Sequence, residues 1–177
     1  MSKPMPVLKM YRTHPDVILP TFATEQSACF DIAFQGHGKH QYTGWSENNS
    51  KFERFTPKGE IWVSPLERIM IPTGLILDIP KGYSVRLHSR SGLSLKSGLV
   101  LANGEAVIDS DFVDELQVLI YNRSSVGCWI KNGDRIAQAE LVQQLKYRIE
   151  ETSVQPVQKT DRVGGLGSTG IAMGFGV

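Results

Sequence analysis

Between residues 60 and 150 the chain is cut into short pieces, and this punctuation restricts its fold more than any other feature. Pro72-Thr73-Gly74, Pro80-Lys81-Gly82 and Asn132-Gly133 interrupt apolar runs of only three to eight residues. Within the runs the period is two. Tyr83, Val85 and Leu87 alternate with Ser84, Arg86 and His88, the pattern of a strand with one face on a core. Leu66 to Ile71, Leu75 to Ile79, Leu99 to Leu101, Leu116 to Tyr121, Gly127 to Ile130, Arg135 to Val142 and Tyr147 to Glu150 continue the rhythm, with Asn132-Gly133 as a hairpin turn. Upstream, residues 5 to 11 and Ser27 to Phe34 read as two further strands. Helical periodicity is confined to Ser91-Gly92-Leu93-Ser94-Leu95-Lys96, with Ser91 near its N-cap. The expectation is an all-β sandwich, barrel or jelly roll with one short helix.

A chain of 177 residues, 41% hydrophobic and 21% charged, has enough length for one core. Its net charge of +1 provides no broad basic field, so neither direct nucleic acid binding nor a polynucleotide partner is indicated, while a small anionic ligand is compatible. Cys29 and Cys128 match no zinc, redox or disulfide spacing and read as core residues in a reducing compartment. The N-terminus carries no long apolar run, so the expectation is no membrane span and a cytoplasmic protein, or host-cell cytoplasm if the source is viral.

Three stretches carry chemistry. In Asn103 to Phe112, Asp109 ends an apolar Ala-Val-Ile run beside a second acid, Asp111, and an aromatic ring; the stretch is either a solvated turn or a site with a positioned general base. Arg90 and Ser91 at a helix start make a seat for phosphate, or a capped surface turn. Gly164 to Gly170 formally contains G-x-G-x-x-G, but no strand feeds it, so a Rossmann site is rejected and a glycine-rich arm able to wrap phosphate remains, against plain terminal disorder. Residues 35–59 lack clear periodicity and read as a surface insertion; His37 and His40 within it are flanked by glycines, which argues against a helical metal site.

Five segments in order resemble the five motifs of the homotrimeric dUTPases: Ala28-Cys29-Phe30-Asp31-Ile32, Arg90-Ser91-Gly92-Leu93, Asn103 through Phe112, Gly133-Asp134-Arg135-Ile136-Ala137-Gln138, and Gly164 through Gly170. The resemblance covers nearly all of the chain outside residues 35–59. It implies a jelly-roll (β-clip) subunit over residues 1–159, a flexible arm over 160–177 that closes an active site, and a trimer whose sites each draw on all three chains. The implied reaction is Mg²⁺-dependent hydrolysis of dUTP to dUMP and pyrophosphate. By position, Asp109 orients and deprotonates the attacking water. Arg90, Ser91, Gly92 and Gln138 hold phosphates, and Asp31 meets the metal through water. The backbone from Asn103 to Asp109, including Ile108, reads uracil, and Phe112 lies against the sugar. From the arm, Arg162 reaches the γ-phosphate, Leu166 covers the base, and Gly167 and Ser168 bind substrate.

This chain departs from the family pattern at four places: Phe112 stands for tyrosine, Ala106 for glycine, Leu166 for phenylalanine, and Arg162 lies one residue nearer the glycines than usual. Phe175 is a candidate substitute for the missing ring. The nearest rival is a dCTP deaminase, which resembles the same superfamily but uses a glutamate where Leu119 stands here. The other is a catalytically silent jelly roll using residues 35–59 to bind an unknown protein partner.

Overall fold

An eleven-residue strand, Arg68–Asp78 (β6), runs through the middle of the molecule in a computed structural model that describes residues 4–36, 41–55 and 59–161. The punctuation at Pro72-Thr73-Gly74, expected to end a strand, lies inside it. A register shift against β10 (Glu115–Asn122) absorbs the interruption. Gly74 takes a φ of +69°, its N–H donates to Glu115 Oε1 (2.9 Å), and the Thr73 hydroxyl donates to Leu116 O (2.8 Å). A bulge of this kind lets a proline and a left-handed glycine stay in a strand without leaving polar atoms unpaired.

Around β6 a six-stranded sheet forms from β4 (Lys51–Phe55), β3 (Gln41–Trp45), β6, β10 and β8 (Leu99–Leu101), with β1 (Lys9–Arg12) also paired to β6. A four-stranded sheet has the order β2 (Phe30–Ala33), β12 (Arg135–Gln143), β7 (Tyr83–His88), β9 (Ala106–Ile108). A third ladder joins β5 (Glu60–Val63) to β11 (Cys128–Lys131). Ile32, Phe34, Ile61, Ile71, Leu87 and Ile120 are fully buried in the common core. The described residues therefore form an all-β, jelly-roll-like fold with one helix, α1 (Ser91–Ser97). Its N-cap is Arg90, not Ser91, and it ends on Gly98 in the left-handed conformation.

The Asn132-Gly133 turn, expected to close a hairpin, is a corner between sheets. Lys131 to Asp134 forms a tight turn (Asp134 N–H to Lys131 O, 2.9 Å) with Gly133 at φ +90°, yet β11 pairs with β5 while β12 pairs with β2 and β7. Likewise Ala102 to Glu105 turns with Gly104 at φ +72°, but β8 belongs to the six-stranded sheet and β9 to the four-stranded one.

Within residues 35–59 the sequence pattern predicted no element, yet β3 and β4 form a hairpin there. Phe52 covers Gly44 so closely that a Cβ at Gly44 would lie 2.4 Å from the ring. Arg54 stacks over Phe52 (4.6 Å), donates to Trp62 O, and pairs with both oxygens of the nearly buried Glu67 (2.8 Å each). Burial raises the Glu67 pKa, but Arg54 and the Ser64 N–H outweigh it and hold the carboxyl below its ordinary value. Tyr42 is buried edge-on against Phe34. These contacts tie the hairpin to the core. His37 and His40 lie outside the described residues.

The chain divides into residues 1–146, which hold every strand and the helix of the described residues, and residues 147–177. Described residues of the second unit form no strand, so the one predicted for Tyr147 to Glu150 is absent; Tyr147 and Ile149 are exposed. No helix among the described residues is long and apolar enough to cross a membrane.

Candidate active site

The four-stranded sheet sets Asp31, Gln138 and His88 side by side in one row across β2, β12 and β7. Two guanidiniums converge on the half-buried Asp31: Arg90 Nε lies 2.7 Å from Oδ1, and Arg135 Nη1 lies 2.9 Å from Oδ2. Arg90 Nη1 also donates to Arg135 O (2.9 Å), and Gln138 Nε2 donates to Ser89 O (3.0 Å). Charge-assisted bonds this short fix both the carboxylate and the guanidinium planes. Three segments distant in sequence thus form one positively biased corner with a single acid at its centre.

Arg135 was not among the residues singled out from sequence. It stands three positions before Gln138, which on a regular strand would put the two on opposite faces. The β12 register shift between Arg135 and Ala137 cancels that alternation and turns Arg135 toward Asp31. Its membership of the Gly133 to Gln138 motif was the available signal.

Ser91 and Gly92 lie exposed in the first turn of α1, beside Arg90. A Cβ on Gly92 would meet nothing within 4 Å, and its φ is not left-handed, so no contact or backbone demand within the chain requires glycine there. Open space beside a guanidinium and a helix start suits an incoming ligand.

The second candidate region is built differently. Ile108 pairs with Val85, so Asp109 follows the ladder opposite Ser84. Asp109 is exposed, its carbonyl accepts the Phe112 N–H (3.2 Å), and Asp111 lies within that turn. Val107, Phe112 and Val113 are 48%, 39% and 70% exposed. Asn103 is exposed on the corner between β8 and β9. From the register, Asp109 lies three strands across and four residues along from Asp31. At ~4.8 Å per strand and ~3.3 Å per residue, this is roughly 20 Å. One chain therefore does not bring Asp109 to the arginine corner. Arg162, Leu166, Gly167, Ser168 and Phe175 lie outside the described residues.

Cys29, beside this corner, has its thiol pKa raised by burial and then by the charges of Glu140 and Asp31, so it stays protonated and unreactive near neutrality. Among the described residues no group of three or more His, Cys, Asp or Glu side chains could hold a metal ion. Asp31, with both oxygens engaged by arginine, fits a metal met through water better than direct ligation. At the position where a deaminase would need an acid, Leu119 lines a small cavity with Trp45, Met70 and Ala102.

Comparison with known proteins identifies the family. The dUTPase family model matches residues 58–170. A deoxyuridine 5'-triphosphate nucleotidohydrolase of Treponema pallidum is 33% identical over 141 residues, covering 79% of this chain and 95% of the relative. One from Finegoldia magna is 41% identical over 114 residues, 64% of this chain and 78% of the relative. In fold, the chain is similar to a Staphylococcus bacteriophage 80alpha dUTPase solved with dUpNHpp (TM-score 0.71, 20% identity, 93% of this chain and 99% of that one). It is also similar to a phage phi11 dUTPase described with a structural Mg(II) ion (TM-score 0.66, 18% identity, 85% and 99%). With its motifs in order, its jelly-roll-like strands and these relatives, the chain belongs to the dUTPase family.

Proposed function

We propose that this chain hydrolyses dUTP to dUMP and pyrophosphate as a homotrimer, with each site assembled from more than one chain. That activity keeps uracil out of DNA and supplies dUMP for thymidylate synthesis. The observation that carries the assembly is the separation of roughly 20 Å, by strand geometry, between Asp109 and the Asp31–Arg90–Arg135 corner. Water attack on an α-phosphate needs a base and cationic donors around one phosphorus, so the two regions must come from neighbouring chains. The exposed apolar surface at Val107, Phe112 and Val113 supports the same reading.

In this reading Asp109 accepts a proton from the attacking water and contacts the deoxyribose 3'-hydroxyl. Arg90, Ser91, Gly92 and Gln138 of a neighbouring chain hold the phosphates, with Arg135 adding a second guanidinium. Asp31 keeps both guanidiniums oriented before substrate arrives, which lowers the ordering cost of binding. Mg²⁺ would travel on the substrate's phosphates, meet Asp31 through water and supply charge neutralisation. Backbone groups from Asn103 to Asp109, Ile108 among them, would pair with uracil and leave no room for a 5-methyl group. Phe112 would pack on the sugar. The arm would contribute Arg162 to the γ-phosphate, Leu166 over the base, and Gly167 and Ser168 to the phosphates.

The test is pyrophosphate release with Mg²⁺ from dUTP, dTTP, dCTP and UTP. The expected result is release from dUTP far above the others; equal release from dTTP, or uridine nucleotides formed from dCTP, would contradict the assignment.

A further inference from the structure

A chain of alternating charge crosses the outward face of the four-stranded sheet, and it ends on the corner between β8 and β9. Glu105, the last residue of that corner, accepts a hydrogen bond on Oε2 from Arg86 Nη1 of β7 (2.9 Å), while His88 Nδ1 lies 3.7 Å from Oε1, beyond hydrogen-bond distance. The other nitrogen of His88 lies 3.1 Å from Glu140 Oε1 on β12. Arg86 faces Glu140 in the ladder, and His88 faces Gln138, whose amide binds Ser89 O next to Arg90. Cys29, near this row, feels the Glu140 charge, and Asp31 with its partners Arg90 and Arg135 lies beyond Gln138 in the same row.

The corner needs such a tie. Ala102, Asn103, Gly104 and Glu105 are all exposed, and the strand that follows has only three paired residues. Its own backbone bonds are local, Gly104 N–H to Leu101 O (3.2 Å) and Glu105 N–H to Asn103 O (2.8 Å), while Ala102 N–H to Leu119 O (2.8 Å) anchors its first residue to the other sheet. Glu105 links its last residue, by side chain, to the sheet that carries the phosphate-binding residues.

We propose that Arg86, Glu105, His88 and Glu140 form a latch that positions the Asn103–Glu105 corner for base recognition, with His88 as the link between Glu105 and Glu140. These are positioning residues, and the proposal rests on reading Asn103 to Asp109 as the base-recognition stretch. His88 stands between the two carboxylates, 3.1 Å from Glu140 and 3.7 Å from Glu105, so removing its ring disconnects the Glu105 end from β12. Loosening the corner weakens capture of the base without altering Asp109, which sits at the other end of β9.

Steady-state kinetics with Mg²⁺ and dUTP, combined with amide exchange of the nucleotide-free enzyme, separate the outcomes. Glu105→Gln and His88→Gln are expected to raise KM about three- to ten-fold, the range for a partly exposed ion-pair network, with kcat within about two-fold. Amide exchange of residues 103–106 speeds up in both variants. Unchanged exchange and KM would overturn the latch, as would a fall in kcat at constant KM. The exchange readout does not depend on substrate identity. Faster exchange in an enzyme that ignores dUTP would sustain the latch while removing the assigned activity.

Discussion

The arginine corner and the Asn103–Phe112 stretch are both candidate parts of one catalytic site, yet one is finished within the chain and the other is not. At the corner every charged group has a partner: Asp31 is half-buried, each of its oxygens meets a guanidinium within 2.9 Å, and Arg90 also caps a carbonyl of β12. Around Asp109 the side chains point outward, and apolar surface at Val107, Phe112 and Val113 is left open. The first region shows self-sufficient electrostatics. The second resembles half of an interface, and the chemistry proposed for it needs a surface that the chain itself does not supply.

The contrast can be broken most severely at Asp109. Asp109→Asn is expected to lower kcat by about 10²- to 10⁴-fold, the range for losing a general base, while the melting temperature stays unchanged because the side chain is exposed and outside the ladder. Stopped-time turnover and a thermal melt of the same preparation check both halves. Truncation after Lys159 should cost turnover by at least about ten-fold through lost closure, and gel filtration should still find the trimer.

Asp31→Asn strikes the finished region, and there stability should respond as well as activity. Two guanidiniums would face each other without a counter-charge, so chemical denaturation should show a loss of about 1–3 kcal/mol alongside a higher KM. A loss of activity with no loss of stability would mean that Asp31 is not the organiser of the corner.

Two smaller changes lie away from both regions and serve as controls. Leu66 occupies the third position of the Ser64 to Glu67 turn with a φ of +59°, where glycine is preferred. Leu66→Gly should raise stability by about 1 kcal/mol with kcat unchanged. Glu67 has its pKa depressed in the folded state, so its contribution is complete above the ordinary carboxylate range and is lost as pH falls through the lowered value. Glu67→Gln should therefore melt lower at neutral pH and lose less stability on acidification to about pH 4, as followed by thermal melts across pH.

Alternation and turn chemistry made the strands legible from sequence, because burial of one sheet face imposes them residue by residue. What each strand pairs with was not legible. Gly104 and Gly133 mark true turns, but a turn residue reports only its local φ, so the corner between sheets at Asn132-Gly133 looked like a hairpin. Pro72 and Gly74 looked like a break for the opposite reason: their cost is absorbed by Glu115 and Leu116, forty residues away. The β3–β4 hairpin was missed because Arg54 is held by Glu67 and Trp62 rather than by any pattern inside residues 35–59. In the candidate site, Asp31, Arg90 and Gln138, which the structure brings together, were singled out from ordered motifs, whereas Arg135 was hidden by a register shift that local alternation does not reveal.

The most direct test of the shared site mixes two chains that are each inactive. Asp109→Asn and Arg90→Gln subunits, dissociated together and reassembled, should regain about one quarter of wild-type dUTP turnover, because random trimers pair an intact Asp109 with an intact Arg90 from different chains at about that frequency. Mixed trimers that form but remain as inactive as either parent would contradict the account, since they would mean that Asp109 and Arg90 serve the same site from the same chain.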